Sequence, residues 1–445
     1  MESQIFTFPG AGEEIQRVQL VRFDSWEDLN FWQPEPSDNA FACFRQIYRQ
    51  YLIPAAPWVF GSLVMFRLPE GLQVPEALMD RWKGRVADPM SVAALSLRRG
   101  VLVLGRKPLF RDEAVKQLWQ TLSREGCLSI VKGKLPMVTS IIPVANRSGY
   151  LTESEPDAQL KVNASFFIMD PFDCATGFDH IGIPFGLLVK NGVVENPPLY
   201  VREALLVRQD GSVEIEMPRL QQMKLRIGDR VYIHGENARI FSRPRHFRSP
   251  LGRRALVIIG RTVAAVYEGS APIPCSGFVL CPEGECLARP GDTVTYEGME
   301  DVVFGIQVGN SILRNGVKTE KFLSRFFNIR GLQRIAYPPC LYPLDFQNAR
   351  AARIALGADK EGRPMLLWAE GAAKLGHVPG QDSQGASLSD MAGICARVGM
   401  VNAVNLDGGG SAQLLMKNKR SLRISDRNAD FTESQRPVPL GLIVK

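Results

Sequence analysis

Asp407 heads the most chemically loaded stretch of the chain, "NLDGGGSAQLL" at residues 405–415. It pairs one carboxylate with Gly408, Gly409 and Gly410 and then the Ser411 hydroxyl, between two apolar runs. A strand that ends in Asp407 delivers its carboxylate to the rim of a sheet. Three residues without Cβ can take positive φ and let another molecule approach the backbone closely. Their N–H groups can also converge on an anion. One acid beside a row of amide donors suits a substrate with an acid-labile bond next to a negative group. A hairpin whose Asp only satisfies turn amides is the simpler reading, but three glycines exceed what a two-residue turn needs. Ser411 fits a nucleophile less well: the pattern is not Gly-x-Ser-x-Gly, and no His is near in sequence.

The elements that must carry this acid are legible around it. "VNAVNL" reads as a buried strand leading into Asp407, "SAQLLM" as a second strand and "RPVPLGLIVK" as a closing one. "RIALGADKEGRPMLLWAEG" reads as a hairpin turned at Lys360-Glu361-Gly362. In "SLSDMAGICARVG", Ser387 caps a helix whose Leu388, Met391, Ala392, Cys395 and Val398 recur at helical spacing, and Gly399 ends it. Further upstream, "PFGLLVKNGVV", "ALLVRQDGSVEIEM", "RALVIIGRTVAAVYEG" and "SGFVLCPEGE" are short β-rich runs split by Asn-Gly and Asp-Gly pairs. Residues 205–300 are expected to form a small β-rich subdomain inserted in a larger one.

Before residue 125 the texture differs. Five of the six tryptophans lie there, and "SWEDLNFW", "VPEALMDRW" and "DEAVKQLWQTLSREG" carry helix signals: a capping Ser25, Pro75 at a first helical position and an apolar face ending at Gly126. Residues 1–125 are therefore expected to be a mixed helical N-terminal module or a partner-facing extension, with no motif for chemistry in them. Residues 126–445 are expected to hold the site. The fold class expected overall is mixed α/β, rich in β, with mixed sheets and flanking helices.

Composition excludes little beyond the extremes. At 445 residues, 45% hydrophobic and 22% charged, the chain can build two or three domains with real cores. A formal charge of +7 permits an acidic substrate and is too weak to imply nucleic acid. The eight cysteines make no C-x-x-C pair and read as reduced thiols. No apolar run approaches the ~20 residues of a membrane span, and the N-terminus does not read as a secretory leader. A cytoplasmic protein without a membrane partner is expected. The four histidines make no zinc pattern. Asp170, Asp173 and Asp179 in "DPFDCATGFDH" could hold a hard cation such as calcium, although the spacing is not that of an EF-hand. No cofactor is otherwise expected. "ARIFSRPRHFRSPLGRR" holds six arginines and reads first as a solvated loop on a basic protein, with grip on an acidic ligand or single-stranded nucleic acid as the sharper alternative.

The order of these motifs resembles the phosphodiester glycosidase family over about residues 130–445. "NLDGGGSAQLL" is similar to its most specific motif, "KVNASFF" to its Asn-Gly-Gly-Phe-Phe segment, and "IPFGLLVKNGVV" to its Gly-hydrophobic-Asn-Gly hairpin. "IPCSGFVL" and "RPVPLGLIV" are similar to two of its strands. The resemblance implies cleavage of a sugar linked through a phosphodiester. It places Asn163, Phe166, Arg353, Glu370, Asp407, Gly408, Gly409, Gly410 and Ser411 at the site. Glycosidic cleavage usually takes two carboxyl groups, so Asp407 and Glu370 are the expected catalytic pair. Arg353 is the expected phosphate clamp, because a guanidinium binds phosphate oxygens bidentately. Asn163 is expected to offer its amide to a sugar hydroxyl. Departures are also present: Ala164 and Ser165 replace two glycines, Glu370 replaces an Asp, and Ala372 replaces an Arg. They leave open a scaffold that binds a phosphosugar or nucleotide without turnover, or a partner-recruiting protein acting through its N-terminal half.

Overall fold

The computed structural model describes residues 1–35, 147–168, 182–320, 348–372, 377–424 and 435–445, apart from single residues within them, together with the backbone of four short strands between 62 and 143 and a few isolated residues. Contacts divide the chain into two units. One comprises Met1–Pro34, Gly149–Phe167 and Pro184–Lys445, and the other Glu35–Ser148 and Ile168–Ile183.

The described part of the second unit is an antiparallel sheet, not a helical module. Its strands run in the order Val101–Leu104, Ser62–Arg67, Leu128–Lys132, Ile142–Pro143. The helices expected in "VPEALMDRW" and "DEAVKQLWQTLSREG" lie outside the described residues. The one expected in "SWEDLNFW" is a single 3-10 turn, Trp26–Asp28. Ser25 caps it by accepting from the Glu27 amide, and Leu29–Trp32 then leaves as a strand. The cap signal was real, but "LNFW" is needed for pairing with Gly441–Val444. Tertiary pairing outweighs a short helical propensity here.

Two larger sheets of the first unit bear on the site. The seven-stranded sheet has the order Glu2–Pro9, Ile15–Arg22, Pro364–Ala369, Arg353–Ala358, Asn402–Asn405, Ser311–Arg314, Val317–Lys318, every pair antiparallel. The five-stranded sheet runs Lys419–Arg420, Leu414–Met416, Leu160–Asn163, Gly441–Val444, Leu29–Trp32. Residues 1–34, assigned on sequence to a module ending at 125, thus supply strands to both. A second five-stranded sheet joins Val193–Asn196, Leu188–Lys190, Val302–Ile306, Ala204–Arg208 and Val213–Glu216. Between Lys224 and Glu297 the chain forms a three-stranded and a four-stranded sheet that pair only within that segment.

One core joins these layers. Val21, Ile354, Leu356, Trp368 and Val404 from the seven-stranded sheet meet Leu160, Val162, Leu414 and Leu442 from one five-stranded sheet and Leu188, Leu205 and Phe304 from the other. The opposite face of the seven-stranded sheet is covered by Leu388–Arg397, the only α-helix among the described residues, through Leu388, Met391, Ala392 and Cys395. Ser387 closes a full capping box with Asp390. Because Arg353–Ala358 and Pro364–Ala369 are buried along both faces, their sequences are continuous apolar runs without alternation. Among the described residues the fold is β-rich and antiparallel, with very little helix.

Candidate active site

The strand Asn402–Asn405 belongs to the seven-stranded sheet, and Leu414–Met416 belongs to the five-stranded one. The glycine stretch between them is therefore a crossing from sheet to sheet and not a hairpin. Two backbone bonds pin its entry: the Asp407 amide donates to the Ala164 carbonyl at 2.8 Å, and the Gly409 amide to the Ala352 carbonyl at 2.8 Å. Gly409–Ser411 then forms a 3-10 turn, closed by the Ser411 and Ala412 amides on the Gly408 and Gly409 carbonyls. The Gly408 and Gly410 amides stand outside these bonds.

Two glycines here have separate reasons. A Cβ on Gly408 would lie 2.9 Å from the Ala352 carbonyl oxygen and 3.3 Å from Cδ of Arg353, so the Ala352 main chain and the Arg353 stem border the space a side chain would need here. Gly409 has φ +61° and open space around it. Its requirement is conformational, and that of Gly408 is steric.

Asn163, at the end of Leu160–Asn163, spans the crossing. Its Nδ2 donates to the Asp407 carbonyl at 2.7 Å, and its Oδ1 accepts from the Gln413 amide at 2.7 Å. Both ends of the side chain hold main chain, and the residue is buried. The expectation that it greets a sugar hydroxyl gives way to a clamp on the segment that carries the acid. Phe166 is likewise buried, its carbonyl accepting from the Phe185 amide.

Arg353 is buried beside the turn, its Nε donating to the Ala386 carbonyl at 3.2 Å and its Nη2 to that of Ala349 at 2.9 Å. Asp407 is 8% exposed and has further partners. Glu370 stands at the end of Pro364–Ala369, where Ala369 is directly opposite Arg353. Its carboxylate, however, is occupied. Arg17 Nε donates at 2.7 Å, the Ser383 hydroxyl donates to the same oxygen, and the Arg423 amide donates to the other at 3.0 Å. Glu370, expected from sequence to be the second catalytic acid, thus uses its carboxylate to join three segments of the chain.

Buried polar side chains that sequence reasoning passed over surround this core. Arg436 is fully buried, and its Nη1 donates to Ser411 Oγ at 3.2 Å. Burial holds its guanidinium well below the usual arginine range. Gln413 Nε2 donates to the Arg436 carbonyl at 2.8 Å. Ser411 thus accepts a hydrogen bond from a guanidinium, whereas a serine nucleophile is activated by an adjacent base. Asn310 and Asn405 join through backbone bonds, the Asn405 amide to the Asn310 carbonyl and the Gly309 amide to the Asn405 carbonyl. The available signal was a polar residue inside a strand buried on both faces. Asn402 and Asn405 in "VNAVNL" and Gln413 in "SAQLLM" are such residues, and each must be paired inside.

Asp179 uses its carboxylate on the amide and hydroxyl of Thr176, at 2.9 and 3.1 Å. Asp170 and Asp173 lie outside the described residues. Among the described residues, no cluster of three or more His, Cys, Asp or Glu side chains is arranged to hold a metal.

Residues 282–445 match the phosphodiester glycosidase family, and this range contains Arg353, Glu370, Asp407, the three glycines, Ser411 and Arg436. Two relatives share the name N-acetylglucosamine-1-phosphodiester alpha-N-acetylglucosaminidase. The Bos taurus protein is 38% identical over 198 residues, covering 38% of this chain and 36% of its own length. The Mus musculus protein is 35% identical over 197 residues, covering 38% and 37%. The chain thus spans little more than a third of the curated relatives it matches. The zebrafish catalytic domain of that name, auto-inhibited by its pro-peptide, aligns over 67% of each chain at 16% identity and a TM-score of 0.32. Asn163 precedes the matched range, yet its two hydrogen bonds make it part of the same arrangement.

Proposed function

We propose that this chain is a hydrolase that cleaves a sugar 1-phosphodiester, or a closely related glycosidic bond, at the crossing 407–411. The observation that carries this reading is a juxtaposition. Within the family-matched range, Asp407 is fixed by its own main chain while the Arg353 stem lies against the adjacent Gly408. An acid whose backbone cannot drift, next to a guanidinium, supplies the two things that cleavage beside a phosphate needs.

A phosphate departs from the anomeric carbon already stabilised, so it needs less protonation than an alkoxide. One carboxylate then suffices to stabilise the developing oxocarbenium or attack it, and the cation offsets charge on the leaving oxygens. Arg353 takes the second task. Glu370 acts through others, fixing Arg17, Ser383 and the Arg423 main chain at the end of the strand opposite Arg353. Asn163 and Arg436 hold the crossing itself.

The test is hydrolysis of an aryl or nucleoside sugar phosphodiester by the full chain. Asp407→Asn is expected to lower kcat by ~1000-fold with unchanged melting temperature. Wild-type protein that binds such a ligand without turning it over would move the reading to a binding module on the same scaffold, which the occupied carboxylate of Glu370 also fits. Turnover unaffected by Asp407→Asn would place the chemistry elsewhere.

A further inference from the structure

The six-arginine stretch 239–254 contains no acidic residue, and the proposed reaction uses none of it. The structure places its ends on either side of Gly277–Pro282 in the four-stranded sheet Ala238–Ser242, Gly277–Pro282, Arg254–Ile259, Thr262–Glu268. At the end of that sheet is a groove of about 430 Å³ lined by Arg253, Arg254, Pro282, Glu283 and Gly284.

The arginines there are loosely held. Glu283 Oε1 is shared, at 3.3 Å from Arg253 Nη1 and 3.8 Å from Arg239 Nε. Arg254 reaches Glu268 at 3.3 Å and the Ala288 carbonyl at 3.3 Å, while its Nε is shielded from water without a hydrogen-bond partner. Long, solvated pairs of this kind contribute little and yield readily to a better anion. Arg208 shows the contrast: each of its three guanidinium nitrogens donates to a carboxylate, those of Glu214, Asp301 and Glu216.

Two leucines stand in solvent beside the groove. Leu251, two residues before Arg253, is 84% exposed. Leu287, next to the Ala288 that accepts from Arg254, is 69% exposed. They project and do not line the concavity, whose walls are charged or are Pro and Gly. A bound peptide would be gripped by apolar walls. Exposed leucines beside loosely held arginines instead match a surface whose outer layer is anionic and whose interior is apolar.

We propose that this end of the inserted segment docks on an anionic lipid bilayer. Arg239, Arg253 and Arg254 meet headgroup phosphates, and Leu251 and Leu287 enter the acyl boundary. No helix among the described residues is long and apolar enough to cross a membrane. The expectation of no membrane partner rested on the lack of a span, and surface docking needs none.

The test is co-sedimentation of the full chain with phosphatidylcholine vesicles with and without phosphatidylserine. Binding is expected only with the anionic lipid and should weaken as NaCl rises from about 0.05 to 0.5 M. R239Q/R253Q and L251S/L287S are each expected to reduce vesicle affinity about tenfold or more. All four positions are exposed, so melting temperatures should not change. Failure to bind, equal binding to neutral vesicles, insensitivity to both variants, or capture by poly-glutamate in place of vesicles would each overturn the proposal. None of these readings depends on sugar hydrolysis, so the two proposals fail separately.

Discussion

Gly408 and Gly409 are adjacent, identical in type and different in physical role, and substitution separates them. Gly408→Ala forces a methyl to 2.9 Å from a backbone oxygen and against Arg353, so either the crossing or the arginine must move. Gly409→Ala meets no atom within 4 Å and bears only the left-handed backbone penalty, ~1 kcal/mol. Gly408→Ala is therefore expected to abolish turnover and lower the melting temperature by several degrees, while Gly409→Ala keeps measurable turnover and loses about 1 kcal/mol in a denaturant titration. Equal effects would mean that the Arg353 contact is unimportant. The run of three glycines was plain in the sequence. What separates one glycine from the next was not, because the neighbour of Gly408 comes from a strand more than fifty residues away.

The clamp formed by Asn163 belongs to the level of strands, since it ties the end of Leu160–Asn163 to both ends of a crossing between two sheets. Asn163→Ala leaves the Asp407 carbonyl and the Gln413 amide buried without their partner. The expected loss is on the order of 3 kcal/mol. Asn163→Asp keeps the acceptor for Gln413 but removes the donor, so it should still cost kcat through a displaced Asp407. If instead Asn163→Asp changed only KM, the residue would be touching substrate, and the clamp reading would fail. Which strands exist was largely visible in the sequence: "VNAVNL", the 353–369 hairpin, the closing strand and the capped helix all appear where their patterns place them. What could not be read was which sheet each strand joins. Pairing is chosen by burial and register over long separations, and no local pattern encodes it. The same gap explains Glu370. Its position at a strand end was correct, but Arg17, Ser383 and the Arg423 amide converge on it only in three dimensions.

For the molecule as a whole, the N-terminal strands are the largest revision. Ile15–Arg22 pairs with Pro364–Ala369, and Leu29–Trp32 pairs with Gly441–Val444. Removing residues 1–34 is therefore expected to yield insoluble or unfolded protein, as read by circular dichroism and size exclusion. A soluble, active truncation would show that these strands are dispensable. The tryptophan-rich composition of the first 125 residues suggested a separate module because it averages over these 34 residues and those that follow them. The pairing of the third strand with the last also sets an order of events during synthesis. The ribosome releases Leu29–Trp32 long before Gly441–Val444 exists. At about 5–20 residues per second, the interval is roughly 20–80 s. Throughout it Leu29–Trp32 lacks this partner strand, and an unpaired edge is a template for pairing with other chains.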